Sequence, residues 1–120
     1  DYNIYQTNNG YKLVRCPLGK GVVDFYKIFS FIREKNIEIP MTIELGAMNS
    51  RQSDIYIDKF WEALPSINEE HKGRFINYIE SNYKTDQKDE TLWEKNFLPE
   101  EIYKSEFEDI DSSIEYLNNL

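Results

Sequence analysis

Pro40 divides the most constraining stretch of this chain into a helix before it and a strand after it. Asp24 is a good N-cap, because its carboxylate can accept from free N–H groups of a first helical turn. Phe25, Ile28, Phe29 and Ile32 then recur at i, i+3, i+4 and i+7, which lays an apolar stripe along one helix face. Phe31 widens the stripe, while Lys27, Arg33, Glu34 and Lys35 fall on the wet side or at the end. Asn36 closes the helix and Pro40 forbids its return. Beyond Pro40, Met41, Ile43 and Leu45 alternate with Thr42, Glu44 and Gly46, the period of a strand. A one-sided strand would turn Thr42 and Glu44 to water. A strand of a closed parallel barrel would instead pack Met41, Ile43 and Leu45 under helices and aim Glu44 inward. Active sites of (β/α)8 barrels sit at that end of the strand.

The segment GKGVVDFYKIFSFI, followed by PMTIELGA, resembles the last helix–strand unit of the sugar phosphate isomerase/epimerase family, the xylose isomerase-like TIM barrels. The matching residues are Pro17, Gly19, Gly21, Val23, Asp24 and Phe25, then Ile43 and Glu44. The resemblance implies an α/β fold: a C-terminal fragment of a (β/α)8 TIM barrel over residues 1–65, then a mostly helical C-terminal extension over 66–120. It implies a metal-dependent sugar or sugar phosphate isomerase or epimerase, moving a proton between adjacent carbons through an enediolate. Glu44 is then the last-strand ligand of a divalent metal (Mn, Mg, Co or Zn), shared with carboxylates and a histidine from earlier strands. In several epimerases the equivalent residue also works as acid or base. A carboxylate oxygen suits Mg2+ or Mn2+, and such an ion polarises a sugar carbonyl. Two carboxylates flanking the substrate can exchange the proton, and this chain supplies one. The resemblance also places Asp1 as the remnant of a Lys-Asp pair ending the preceding strand, and Arg15 against substrate oxygens. Read from residues alone, Arg15 is a surface guanidinium paired with a local acid, and Glu44 an exposed strand carboxylate.

Composition narrows the alternatives. A full barrel needs about 250 residues and this chain has 120. Its opening without Met and its single convincing strand lead to the expectation of a C-terminal part of a longer protein, inactive and poorly folded alone. A formal charge of -8 argues against a nucleic-acid partner. No apolar run is long enough to span a bilayer, so no membrane partner is expected. The single cysteine, Cys16, excludes an internal disulfide framework and points to a reducing, cytoplasmic setting. One histidine and one cysteine cannot assemble a zinc-type cluster. Gly19 and Gly21 fit no phosphate-loop pattern and are read as positive-φ positions in a tight loop.

The remaining segments carry structural signals. Asn8-Asn9-Gly10 predicts a tight turn and 11–16 a short extended segment. Asn49 to Ser53 is a polar loop with Arg51 toward solvent. Ser53 or Asp54 caps a helix carrying Ile57, Phe60, Trp61 and Leu64, with Trp61 in the core. Pro65 stops it, and Ser66 to Glu69 form a capping box for a helix bearing Phe75, Ile76, Ile79 and Tyr83. His71 lies on that helix as a surface residue. Residues 83–91 read as a linker. Pro99-Glu100-Glu101 starts a further helix in which Ile102, Tyr103 and Phe107 pack, and 109–120 reads as a marginal short helix. The extension offers contacts for a homo-oligomer. Against the sugar enzyme stands a second class: a non-catalytic, acidic, aromatic-rich helical interaction module in which Glu44 does nothing. A third reading, an endonuclease-type barrel, is opposed by the acidity and the single histidine.

Overall fold

A computed structural model of the chain describes residues 1–44, 49–86 and 88–120. Its centre is a β-hairpin. Strands β1 (Tyr2–Thr7) and β2 (Gly10–Arg15) pair antiparallel with Thr7 opposite Gly10, so Asn8 and Asn9 alone make the turn. Gly10 is required there because a side chain would collide with the backbone of Ser53 and Ile55. A short strand β3 (Arg51–Ser53) joins the free edge of β2, with Tyr11 opposite Ser53 and Leu13 opposite Arg51. The expected turn and extended segment at 8–16 are therefore present, and the polar loop at 49–53 is partly an edge strand.

Helix α1 (Phe25–Glu34) begins as expected: Asp24 accepts from the Lys27 amide at 3.0 Å and pairs with its ammonium at 2.9 Å. It ends as expected too, with Asn36 in the left-handed region at φ 49°. Helix α2 (Asp58–Glu62) is shorter than the spacing of Ile57 to Leu64 predicts. Its N-cap is Ile57, with no side-chain cap, and both Ile57 and Leu64 are exposed. Helix α3 (Glu69–Ser81) is capped by Asn68, which accepts from the His71 amide at 2.8 Å, and His71 itself is exposed. Helix α4 (Pro99–Asn118) runs through the stretch read as marginal. Its continuity is explained by Ser113, fully buried, whose hydroxyl donates to the Asp109 carbonyl and accepts from the Leu18 amide at 3.1 Å.

The core gathers Ile4, Tyr11, Ile55 and Ile79, with Phe60, Trp61 and Ile76 against it. Trp61 is a core residue as expected, and its indole N–H donates to the Ile55 carbonyl at 2.8 Å. This core crosses residue 65, because Ile79 of α3 packs with three residues from the first half. Within the expected linker, the Lys84 N–H donates to the Ile4 carbonyl, the Tyr5 hydroxyl donates to Asp86, and Asp89 pairs with Lys12 at 3.2 Å.

Two expectations differ from what is observed. Residues 41–44 belong to no strand, and Leu45 to Met48 lie outside the described residues. Alternation sets which way side chains would face, but a strand exists only where a neighbour supplies the ladder, and β1, β2 and β3 pair only with one another. That sheet is antiparallel, whereas barrel strands are parallel. The architecture is mixed α/β, with a small three-stranded antiparallel sheet and four helices among the described residues. No helix among them is long and apolar enough to cross a membrane.

Candidate functional site

The glycine turn is built around Asp1. Its carboxylate accepts from three backbone amides, those of Tyr2 and Gly21 at 2.8 Å and Val23 at 3.2 Å. The two glycines serve different ends. Gly19 adopts φ 76°, the left-handed conformation expected of it. Gly21 has no positive φ; a side chain there would strike the Asp1 carboxylate and the Tyr2 carbonyl. It is glycine so that the loop can close on the acid. The far side of the loop is held by Ser113 through the Leu18 amide.

Glu44 is exposed on the wall of a cavity of about 730 Å³. Phe25, Phe29 and Ile32 of α1 form one side, Leu117 and Leu120 at the end of the chain another, and Asp1 and Arg33 share the lining. Asp1 and Glu44, two acids that the family resemblance singles out, thus line one cavity. It does not bring Arg15 to them. Arg15 lines two other cavities, of about 650 and 610 Å³.

Among the described residues, no three His, Cys, Asp or Glu side chains form a group that could hold a metal ion. Both Asp1 oxygens already accept amide hydrogen bonds. The donors present here fall short of the three protein ligands of a catalytic zinc site. Glu44 offers a hard oxygen donor of the kind Mg2+ or Mn2+ accepts, with further ligands needed from outside the described residues.

The 650 Å³ cavity holds Cys16, Tyr5, Asp86 and Asp109 beside Arg15 and several lysines. Burial pushes the Cys16 thiol up, away from the thiolate form. Burial, then the bond to Asp86, raises the Tyr5 phenol. Burial, reinforced by Glu108 and Glu106, raises the Asp109 carboxyl.

The 610 Å³ cavity lies between the β2–β3 edge and α4 and contains Arg15, Arg51, Asn49, Trp93, Tyr103 and Glu106. Ser50 in its lining is held by Glu94, which accepts from the Ser50 amide and hydroxyl at 3.0 and 2.6 Å and from the Thr91 amide at 2.8 Å. The Thr91 hydroxyl accepts from the Glu94 amide in return. Burial alone would raise the Glu94 carboxyl, but the bonds from Ser50 and Thr91 outweigh it and hold the group below its ordinary range. Sequence reasoning passed over this site. The Thr-x-x-Glu spacing of a reciprocal cap was visible at 91–94; the partnership with Ser50, 44 positions away, was not.

No family model, curated protein or solved structure matches this chain.

Proposed function

We propose that the chain forms the C-terminal part of a xylose isomerase-like barrel and serves a metal-dependent sugar or sugar phosphate isomerase or epimerase. The observation that carries this reading is the convergence of Asp1 and Glu44 on one cavity, with Asp1 clasped by the amides of Gly21 and Val23. Gly21, Val23 and Glu44 are among the residues on which the resemblance rests. In this reading Glu44 holds or moves a proton at the substrate carbon and supplies one metal ligand, while Asp1 fixes the loop rim. The antiparallel hairpin is an excursion between the last two barrel units. Surface area agrees with a larger body. The chain exposes 9073 Å², against about 6,800 Å² for a compact monomer of this mass. Its radius of gyration is 16.6 Å, where about 13.6 Å is usual for 120 residues.

The same excess favours a second reading, the aromatic-rich interaction module, because Tyr26, Phe31, Trp93, Tyr103 and Phe107 are all exposed. Deuterium exchange separates the two. With Mn2+ in D2O, the complete barrel protein should wash deuterium into the carbon beside the carbonyl of a ketose or ketose phosphate from a pentose and hexose panel. Glu44→Gln should slow that exchange by ~100-fold or more with an unchanged circular dichroism spectrum. No exchange with any sugar, together with no calorimetric Mn2+ binding, overturns the enzyme and leaves the module.

A further inference from the structure

Helix α4 is apolar on two sides. One side is packed, with Ile102 and Ser113 buried. The other carries Tyr103, Phe107, Ile110 and Ile114 at steps of four, three and four residues, which keeps them on one face over about 16 Å. Tyr103 is 61% exposed, Phe107 67% and Ile114 45%. Phe107 is the most exposed large apolar side chain among the described residues. A single apolar residue in water is ordinary, but a row of them along one helix marks a contact face. Steps of three and four are also the rhythm in which a second helix packs alongside the first.

The charge beside the stripe says what fits it. Helix α4 contains seven acids and one lysine. At about 100° per residue, Glu100, Asp111 and Glu115 fall along the flank of the stripe away from Ile102 and Ser113, and all three are exposed. Lys104 offsets one further acid, Glu108, at 3.9 Å. A second copy of this chain would set these acids against its own, at a formal charge of -8 each. An anionic bilayer would be repelled in the same way. An uncharged helix would cover the rings and leave the bordering acids unanswered. A helix with apolar residues at the matching spacing and lysines or arginines beside them answers both features. We propose that this face of α4 binds a cationic amphipathic helix of another protein, its apolar residues on Tyr103, Phe107 and Ile114 and its basic ones against Glu100, Asp111 and Glu115. These residues are not among those lining the Glu44 cavity, so the proposal holds whether or not Glu44 serves a sugar enzyme.

Calorimetry of the full chain with a synthetic helical peptide tests it. The probe is about 18 residues long, enough to lie along the stripe, with leucine at the three–four spacing and lysine elsewhere. The expected result is saturable one-to-one binding, at least ~10-fold tighter than with glutamate in place of each lysine, or with the same residues scrambled out of that spacing. Phe107→Glu should weaken it by ~10-fold or more although it adds negative charge, and Phe107→Ala by several-fold. The ring is exposed, so the circular dichroism spectrum should not change in either variant. Asp111→Lys combined with Glu115→Lys should weaken binding by ~5-fold or more at low salt. Glu44→Gln should leave the peptide affinity unchanged, which keeps this test separate from the deuterium-exchange test. Binding undiminished by Phe107→Glu overturns the proposal, because charge alone would then hold the peptide. Equal affinity for the scrambled or the glutamate peptide also overturns it. So does a dimer in sedimentation that Phe107→Glu dissociates, which would give the face to a second copy.

Discussion

The sheet with α3 and the segment around α1 solve the same problem with opposite success. In the first, Ile4 and Ile55 are each 1% exposed and Ile79 is 4% exposed, all packed in one cluster. In the second, a helix with an equally good apolar stripe buries no residue fully, and Ile28 and Phe31 stand in water. The difference is not in the local sequence, since both helices have a side-chain N-cap and periodic apolar positions. It lies in what the chain provides opposite each face. The hairpin is closed by a two-residue turn and covered by α3. Among the described residues, the α1 face has Phe25 edge-on to Tyr116 at 6.5 Å and shares an open cavity with Leu18, Met41, Ile43, Leu117 and Leu120. A helix stripe needs a partner, and for α1 the described residues supply half of one.

The largest expected effect tests that contrast directly. Ile55→Ala should cost about 3 kcal/mol in denaturant unfolding, the usual penalty for emptying a filled core site. Ile28→Ala should change stability by less than about 0.5 kcal/mol, as for an exposed position. Equal losses would mean that α1 is covered in solution, which would sharpen the case for a larger barrel or a second copy over that face.

A middle-sized effect is expected at Gly21→Ala. The added methyl would displace the Asp1 carboxylate from its amides, at a cost of about 1–2 kcal/mol. Thermal unfolding of the variant measures it, and a change below about 0.3 kcal/mol would show that the clasp does not hold the loop.

The smallest effect concerns acid. The Glu94 carboxyl is held below its ordinary value in the folded state, so its contribution is present above the unfolded value of about 4.3 and is lost as pH falls through the folded one. The melting temperature should therefore decline below about pH 4, and Glu94→Gln should flatten that decline. A variant whose pH profile overlays the parent's would remove Glu94 as the brace of the cleft.

Reading the chain without coordinates succeeds where a signal is local and complete. Asn8-Asn9-Gly10 specifies the hairpin turn, and Asp24 and Asn36 bracket α1, because caps and tight turns are settled within four residues. It fails where the partner is remote. The alternation after Pro40 is a propensity without a ladder over 41–44. Strand β3 has no alternation to announce it and exists because Tyr11 to Leu13 present a free edge. The end of α4 reads as marginal because nothing in 109–120 shows that Ser113 will be buried against Leu18. The candidate site divides the same way. Glu44 is singled out by the motif spacing, whereas nothing in the spacing shows that Asp1, 43 positions earlier, lines the same cavity. The Arg51–Trp93 cleft requires three distant segments to close before its chemistry is visible.

The length of α4 has a mechanical consequence. Tyr103 near its start borders the arginine cleft, and Leu117 near its end borders the Glu44 cavity. Those positions are about 21 Å apart along one uninterrupted rod. Ser113 bolts the rod to the glycine loop between them. Ser113 sits nearer the second end, about 6 Å from Leu117 against about 15 Å from Tyr103, so the anchor holds the Glu44 side of the rod more closely than the other.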